Sequence, residues 1–162
     1  MTVEIIRADY GNPAHGDLIR SLLNAYACDP MGGGAPIADD VLDALVPALA
    51  AQPTAFSLIA YADGAAVGLA NSFFGFSTFA AKPLVNIHDM VVLPAHRGRG
   101  IARAMFAEIE SIAAAAGACK VTLEVLSGNE RAKALYTSLG YGDFALDPGK
   151  GTALFWQKRL DT

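Results

Sequence analysis

The sequence has few cysteines and no long apolar run. Cys28 and Cys119 are far apart and have no partners at metal-site spacing, so we expect free thiols rather than a disulfide. No apolar stretch approaches the roughly 20 residues that span a bilayer, and the chain start lacks a basic region followed by an apolar one. The sequence therefore predicts a soluble, cytoplasmic protein with no membrane partner and no metal site.

Charged residues are also scarce, at 17%, whereas hydrophobic residues reach 53%. This composition argues against a disordered chain. A length of 162 residues suffices for one domain with a substantial core, but not for two ordinary ones. We therefore expect a single domain over residues 1–162.

The few charges are unevenly distributed. Residues 1–81 carry a net charge of −6 and residues 82–162 a net charge of +2. Half of the twelve Lys and Arg residues fall between positions 97 and 133, which suits an anionic cofactor. A nucleic-acid partner is not expected, because the chain is acidic overall and has no basic stripe interleaved with aromatic residues.

Hydrophobic periodicity and turn residues predict alternating strands and helices. The predicted strands are 3–8, 57–61, 65–76, 84–93, 120–126, 141–146 and 153–159. The predicted helices are 17–27, one capped by Asp39 or Asp40, 100–116 and 129–139. Asp63 and Gly64 predict a tight hairpin turn, and the Pro and Gly residues of 28–36 predict a mobile loop.

Glycines between the strand at 84–93 and the next helix indicate an anion site. Gly98 and Gly100 allow a tight turn whose N–H groups point at one phosphate on the positive end of the helix. A P-loop is excluded because Ile101 and Ala102 stand where Lys and Ser or Thr would follow. A dinucleotide fingerprint is excluded because Arg103 occupies the position of its third small residue.

Two motifs resemble the GCN5-related N-acetyltransferase superfamily. Arg97, Gly100 and Ala102 match its Arg/Gln-x-x-Gly-x-Gly/Ala signature, and Asn129, Ala132 and Tyr136 match its Asn-x-x-Ala-x-x-x-Tyr signature. The resemblance implies an α/β (α+β) fold: a mixed, mostly antiparallel sheet, flanked by helices and splayed between its fourth and fifth strands. Here those strands would end at Leu93 and Leu126.

The resemblance also implies acetyl-CoA as co-substrate. Its pyrophosphate would bind the N–H groups of residues 98–103, and its pantetheine arm would pair with the backbone of residues 90–92. Asn129 would hydrogen-bond the pantetheine or a water, or would serve mainly as a helix N-cap. The expected cofactor-binding residues are Met90, Val91, Val92, Arg97, Gly98, Arg99, Gly100, Ile101, Ala102, Arg103, Asn129 and Ala132.

Transfer of acetyl to an amine needs an uncharged nucleophile, oxyanion stabilisation and a proton for the departing thiolate. A free N–H where the splayed strand bulges near residues 90–92 would stabilise the oxyanion. Tyr136 is the candidate acid, because a phenol with a pKa of about 10 is protonated at neutral pH. Alternatively, Tyr136 packs as a core residue.

Two residues are candidates for the base. Glu124 lies in the predicted strand, at a place similar to that of the base of ribosomal-protein N-terminal acetyltransferases; otherwise it pairs with a nearby basic residue. The stretch ending in His88 and Asp89 resembles the diamine and thialysine acetyltransferase branch, with His88 replacing the glutamate of its Leu-Glu-Asp triplet. His88 would take the ammonium proton, or be an ordinary strand residue, and Asp89 would hold a cationic substrate. His96 is expected at the surface.

The favoured function is direct acetylation of a primary amine of a small molecule, such as an amino acid derivative or a diamine. Direct transfer is expected because neither cysteine lies in a Cys-His setting. Alternatives are acetylation of a protein N-terminus or lysine, and a binding module that senses acyl-CoA without catalysis. The apolar stretch 73–79 would either form a homodimer interface or line the acceptor pocket.

Overall fold

The computed structural model describes residues 1–145 and 147–160, without the side chain of Pro148. The chain divides into two compact units, Met1–Leu123 and Glu124–Thr162. The first unit contains β1 (Val3–Arg7), α1 (Pro13–Cys28), α2 (Asp39–Ala50), β2 (Ala55–Ala62), β3 (Ala65–Ser77), β4 (Lys82–Val92), α3 (Ile101–Ala115) and β5 (Val121–Leu123). In the second unit lies α4 (Glu130–Ser138).

The five strands form one mixed sheet in the order β1-β2-β3-β4-β5. β1 to β4 are antiparallel neighbours, whereas β5 runs parallel to β4 and pairs with only three of its residues, Val85, Asn86 and Ile87. β4 continues for five more residues after β5 has ended. The predicted opening between the fourth and fifth strands is therefore confirmed.

A bulge interrupts β4 at His88. Asn71 of β3 faces Asp89, but the next residue, Ser72, faces Ile87, so His88 is an extra residue without a cross-strand partner. Because side chains alternate along a strand, the extra residue places His88 and Asp89 on the same face of the sheet. The bulge lies two residues before Met90, close to residues 90–92, near which the sequence predicts a bulge.

Helices cover both faces of the sheet. The apolar stripes of α1 and α2 pack on Ile59, Leu69 and Val91 in one buried cluster. A Cβ built on Gly68, the neighbour of Leu69 in β3, would lie 3.1 Å from Met105 Sδ of α3. Because neighbouring strand residues point to opposite faces, α3 lies on the face away from α1 and α2.

Several predicted elements differ from the structure. β5 is shorter than the predicted strand 120–126, and the described part of 141–160 contains no strand, although Ala153 N–H donates to Phe144 O at 2.8 Å. Position 146, the end of one predicted strand, lies outside the described residues. Alternating apolar residues form a strand only where a partner takes up their backbone hydrogen bonds. Asp39 and Asp40 lie within the first turn of α2, whose N-cap is Ala38, so neither caps it.

Cys28 and Cys119 are free and exposed. None of the helices in the described ranges is both long and apolar enough to cross a membrane.

Candidate active site

The turn that leads into α3 has the backbone predicted for an anion site. Gly98 and Gly100 have φ angles of 77° and 82°, in a backbone region that residues other than Gly rarely adopt. The first hydrogen bond of α3 runs from Ala104 N–H to Gly100 O at 3.0 Å. Since the first N–H groups of a helix have no acceptor inside it, and Gly100 has no side chain to cap them, this end suits an anionic group.

The last residues of β4 border the opening of the sheet. Leu93 N–H donates to Val67 O of β3 at 2.8 Å. Successive backbone groups of a strand alternate in direction, so those of Val92 and Met90 face the edge that β5 leaves uncovered. This edge is the place where an extended group can add to the sheet as a further strand.

Arg97 connects this edge to a distant loop. Its Nε donates to Val92 O at 2.7 Å, and its Nη2 donates to Asp29 Oδ2, also at 2.7 Å. The side chains are only 28% and 14% exposed, respectively. The guanidinium of Arg97 is therefore bound by Val92 and Asp29 of the protein itself, whereas the side chains of Arg99 and Arg103 are exposed to solvent.

A cavity of about 400 Å³ lies on the face of the sheet that α1 and α2 cover, between these helices and the strands β3 and β4. Its volume is within the range of small-molecule sites. Four of its lining side chains are polar or titratable: Tyr26, Asn71, His88 and Asp89. The apolar lining consists of Leu23, Ile37, Leu45, Leu49 and Phe73. The His88 ring stands edge-on to the Phe73 ring, with centroids 5.8 Å apart and planes at 85°.

A chain of hydrogen bonds beneath the cavity ends on Asp89. Ser57 Oγ donates to Asn71 Oδ1 at 2.6 Å, and Asn71 Nδ2 donates to Asp89 Oδ2 at 3.0 Å. Because the Ser57 proton is used in this way, the Tyr10 hydroxyl is the donor in its 2.9 Å contact with Ser57 Oγ. Ser57 and Asn71 are buried, so this chain fixes the orientation of the Asp89 carboxylate.

Tyr26 adds a neutral hydroxyl to the cavity. Burial raises the pKa of Tyr26, and the negative charges of Asp89 and Asp29 raise it further. Both effects disfavour the phenolate, so Tyr26 is a hydrogen-bond donor near Asp89. Burial likewise raises the pKa of Tyr10, against the smaller effects of Ser57 and Arg7.

The glycine-rich loop after α1 forms one wall of the cavity through Gly32. Asp29 O accepts the N–H groups of Gly32 at 2.8 Å and Gly34 at 3.1 Å, and Ala35 N–H donates to Ala27 O at 3.2 Å. A Cβ on Gly32 would lie 1.9 Å from Tyr26 O, so only Gly fits there. The sequence predicts a mobile loop here, whereas the structure shows one fastened to itself and to α1.

The remaining predicted site residues belong to the second unit. Asn129 is the N-cap of α4 and accepts the Ala132 N–H on Oδ1 at 3.2 Å. Tyr136 is half-buried, with its ring centroid 6.4 Å from that of Tyr141. Glu124 follows the end of β5 and is exposed, so the expectation that it lies within a strand was wrong.

Several cavity residues escaped the sequence analysis, namely Tyr26, Asn71 and their supports Ser57 and Tyr10. The signal for Asn71 and Ser57 was a polar residue inside an otherwise apolar strand. His96 was expected at the surface but is half-buried, and its buried Nδ1 has no hydrogen-bond partner among the described residues.

The aromatic residues of 73–79 lie in different surroundings. Phe73 lines the cavity, as one alternative proposed, whereas Phe76 and Phe79 are 62% and 91% exposed. In the part of the chain that the structure describes, no three His, Cys, Asp or Glu side chains are grouped to hold a metal ion.

Comparisons with known proteins identify sequence relatives of this chain. A thialysine N-epsilon-acetyltransferase of Bos taurus is 32% identical over 77 residues, which are 48% of this chain and 45% of that protein. The chain spans less than half the length of the curated relatives it matches.

Solved structures share the fold over nearly the whole chain. An aminoglycoside acetyltransferase from an uncultured soil metagenomic sample has a TM-score of 0.75 at 22% identity, covering 99% of this chain and 100% of that one. The acetyltransferase AAC(6')-Iy, in complex with a bisubstrate analogue of CoA and acetylneamine, has a TM-score of 0.77 at 21% identity, with the same coverage. Residues 19–141 match the Acetyltransferase (GNAT) family, and the chain belongs to that family.

Proposed function

We propose that this protein transfers an acetyl group from acetyl-CoA directly to a primary amine of a small, cationic molecule. The observation that carries the proposal is the Asp89 carboxylate, which Asn71 orients at a cavity of small-molecule size. An ionised carboxylate attracts an ammonium group and repels an anionic acceptor. The acceptors named for similar proteins, thialysine and aminoglycosides, are amines as well.

The cofactor binds along the uncovered edge of β4 and at the start of α3. The pantetheine arm pairs with the backbone at Met90 and with the N–H of Val92, whose carbonyl already accepts Arg97 Nε. The pyrophosphate lies on the N–H groups after Gly98 and Gly100. Both proposals are supported by the free strand edge and by the left-handed glycines described above. Arg99, which is exposed beside this turn, adds positive charge for the phosphates.

In the transfer, the amine nitrogen forms a bond to the thioester carbonyl carbon, and the bond from carbon to sulfur breaks. His88 removes the proton that the ammonium group must lose before it attacks, and Tyr136 donates a proton to the departing thiolate. The nitrogen loses a second proton as the amide forms, and this proton restores the Tyr136 phenol. His88 is favoured over Glu124 as the base because it lines the same cavity as Asp89. Asp89 then holds a second cationic group of the acceptor, away from the reacting nitrogen.

A panel of acceptors tests the proposal. Purified protein with acetyl-CoA should release free thiol when offered diamines, amino acid amides or an aminoglycoside. It should release less with primary amines that match the diamines in size but carry no second cationic group. Peptides with a free N-terminus or lysine test the protein-acetyltransferase alternative. If coenzyme A binds in calorimetry but every acceptor gives no turnover, the acyl-CoA-sensing alternative replaces the proposal.

The expected cytoplasmic location, the homodimer and the single domain stay predictions. Fractionation of cells and analytical ultracentrifugation of the purified protein test the first two. Limited proteolysis, with and without coenzyme A, tests whether the two units behave as one domain.

A further inference from the structure

The guanidinium of Arg97 joins three parts of the first unit. It donates to the last carbonyl of β4, at Val92, and to the carboxylate of Asp29. The backbone of Arg97 continues directly into Gly98, in the turn before α3. Asp29 and Arg97 are separated by 68 positions in sequence, so their pairing is a tertiary contact. Both side chains are shielded, and charged hydrogen bonds in such surroundings are stronger than exposed ion pairs.

Asp29 is the centre of the loop that walls the cavity. Besides the carbonyl contacts to Gly32 and Gly34, its N–H donates to Tyr26 O at 3.0 Å, and its Oδ1 accepts the Met31 N–H at 2.9 Å. One carboxylate oxygen thus organises the loop while the other binds Arg97. Asp29 is thus hydrogen-bonded to both Gly32 and Tyr26, two residues that line the cavity.

We infer that Asp29 and Arg97 form a positioning pair that fixes the wall of the acceptor cavity to the turn before α3. The inference rests on the proposed function for the identity of the two ligands. Arg97 acts on the amine through Asp29 and the loop, without touching it. Amine binding therefore depends on this pair, whereas the N–H groups that hold the cofactor phosphates do not.

Hydrogen exchange tests the pair without any need for turnover. Arg97→Gln should increase amide exchange at residues 31–35 by at least about fivefold, because the loop loses its anchor. Arg20→Gln is the matched control, since it removes an arginine that pairs with Asp17 on the exposed side of α1. Equal exchange in Arg97→Gln and the unaltered protein, or an equal increase in the Arg20→Gln control, would overturn the inference.

Kinetics test the consequence for the amine. Asp29→Asn should raise the amine KM at least about fivefold, with kcat reduced less and the Kd for coenzyme A within about twofold, and Asp17→Asn should change none of these. In the double variant Asp29→Asn with Arg97→Gln, the two effects should not add, as expected for directly coupled groups. An unchanged amine KM, or an equal loss of coenzyme A affinity, overturns the inference.

The two tests separate the possible failures. A protein that acetylates no amine but shows the expected exchange keeps the positioning pair and loses the proposed function. A protein that acetylates amines but shows neither effect keeps the proposed function and loses the pair.

Discussion

Asn71 donates its side-chain amide to Asp89 at 3.0 Å, across the strand pair that flanks the cavity. The other side of the same amide accepts the Ser57 hydroxyl. A 180° rotation of the Asn71 amide would break both hydrogen bonds, so the NH2 group stays directed at Asp89. This pairing fixes the orientation of the carboxylate, which the proposed binding of a cation requires.

Asn71→Asp should weaken amine binding. The new carboxylate would replace the amide donor that orients Asp89 by a second acceptor at hydrogen-bond distance, so Asp89 would lose its fixed orientation. We expect the amine KM to rise about tenfold, or about 1.4 kcal/mol, with an unchanged Kd for coenzyme A. Asn24→Asp is the control, because the Asn24 side chain acts as acceptor for the Ile37 N–H, a role that a carboxylate can fill. An unchanged KM in Asn71→Asp would argue against Asp89 as the group that binds the cationic acceptor.

His88→Gln should lower kcat by about 100-fold or more, the usual contribution of a general base. Glu124→Gln should leave kcat within about twofold, because the proposal gives the role of base to His88, which lines the cavity together with Asp89. Steady-state rates with a saturating diamine measure both. The opposite pattern would identify Glu124 as the base and return His88 to an ordinary strand role.

Tyr136→Phe should also lower kcat by about 100-fold while the Kd for coenzyme A stays within about twofold, as for a group used only in the transition state. Tyr141→Phe is the control, because it removes a hydroxyl from the ring that lies next to Tyr136. Rates from thiol release and affinities from calorimetry give the comparison. Equal rates in the two variants would mean that another group protonates the thiolate.

Acid should weaken the Asp29 contribution to stability. The hydrogen bond from Arg97, followed by that from the Met31 N–H, holds the pKa of Asp29 below its ordinary value of 3.8. A lowered folded-state pKa gives stability that is complete above the unfolded value and is lost as the pH falls through the folded value. The difference in unfolding free energy between the unaltered protein and Asp29→Asn should therefore be constant near neutral pH and shrink below about pH 4.

Urea unfolding at several pH values measures this difference. The Arg97→Gln background is the control, since the Asp29→Asn substitution should cost less once the guanidinium has gone. A difference that grows as the pH falls would contradict the assignment.

Local features of the fold could be predicted from sequence. The Asp63-Gly64 turn has the positive φ angles, 49° and 83°, that its residue types favour. The left-handed Gly98 and Gly100 and the strand before them were predicted for the same reason. These features depend on a few neighbouring residues, whose backbone preferences are intrinsic.

Contacts between distant residues could not be predicted in this way. The Asn71–Asp89 pair depends on strand register and on the bulge at His88, and the Asp29–Arg97 pair depends on how α1 packs on the sheet. The same limitation explains why strands were predicted at 141–146 and 153–159 that the described part of the structure lacks. Alternation of apolar and polar residues predicts a strand without specifying its partner.

The bulge makes the chemistry of the cavity depend on the number of residues in β4 as well as on their identity. Deleting His88, the extra residue, would restore simple alternation and leave Asp89 facing the cavity without the histidine beside it. Among related sequences, a one-residue gap at this point would therefore mark proteins that keep the carboxylate but need another group to take the proton of the acceptor.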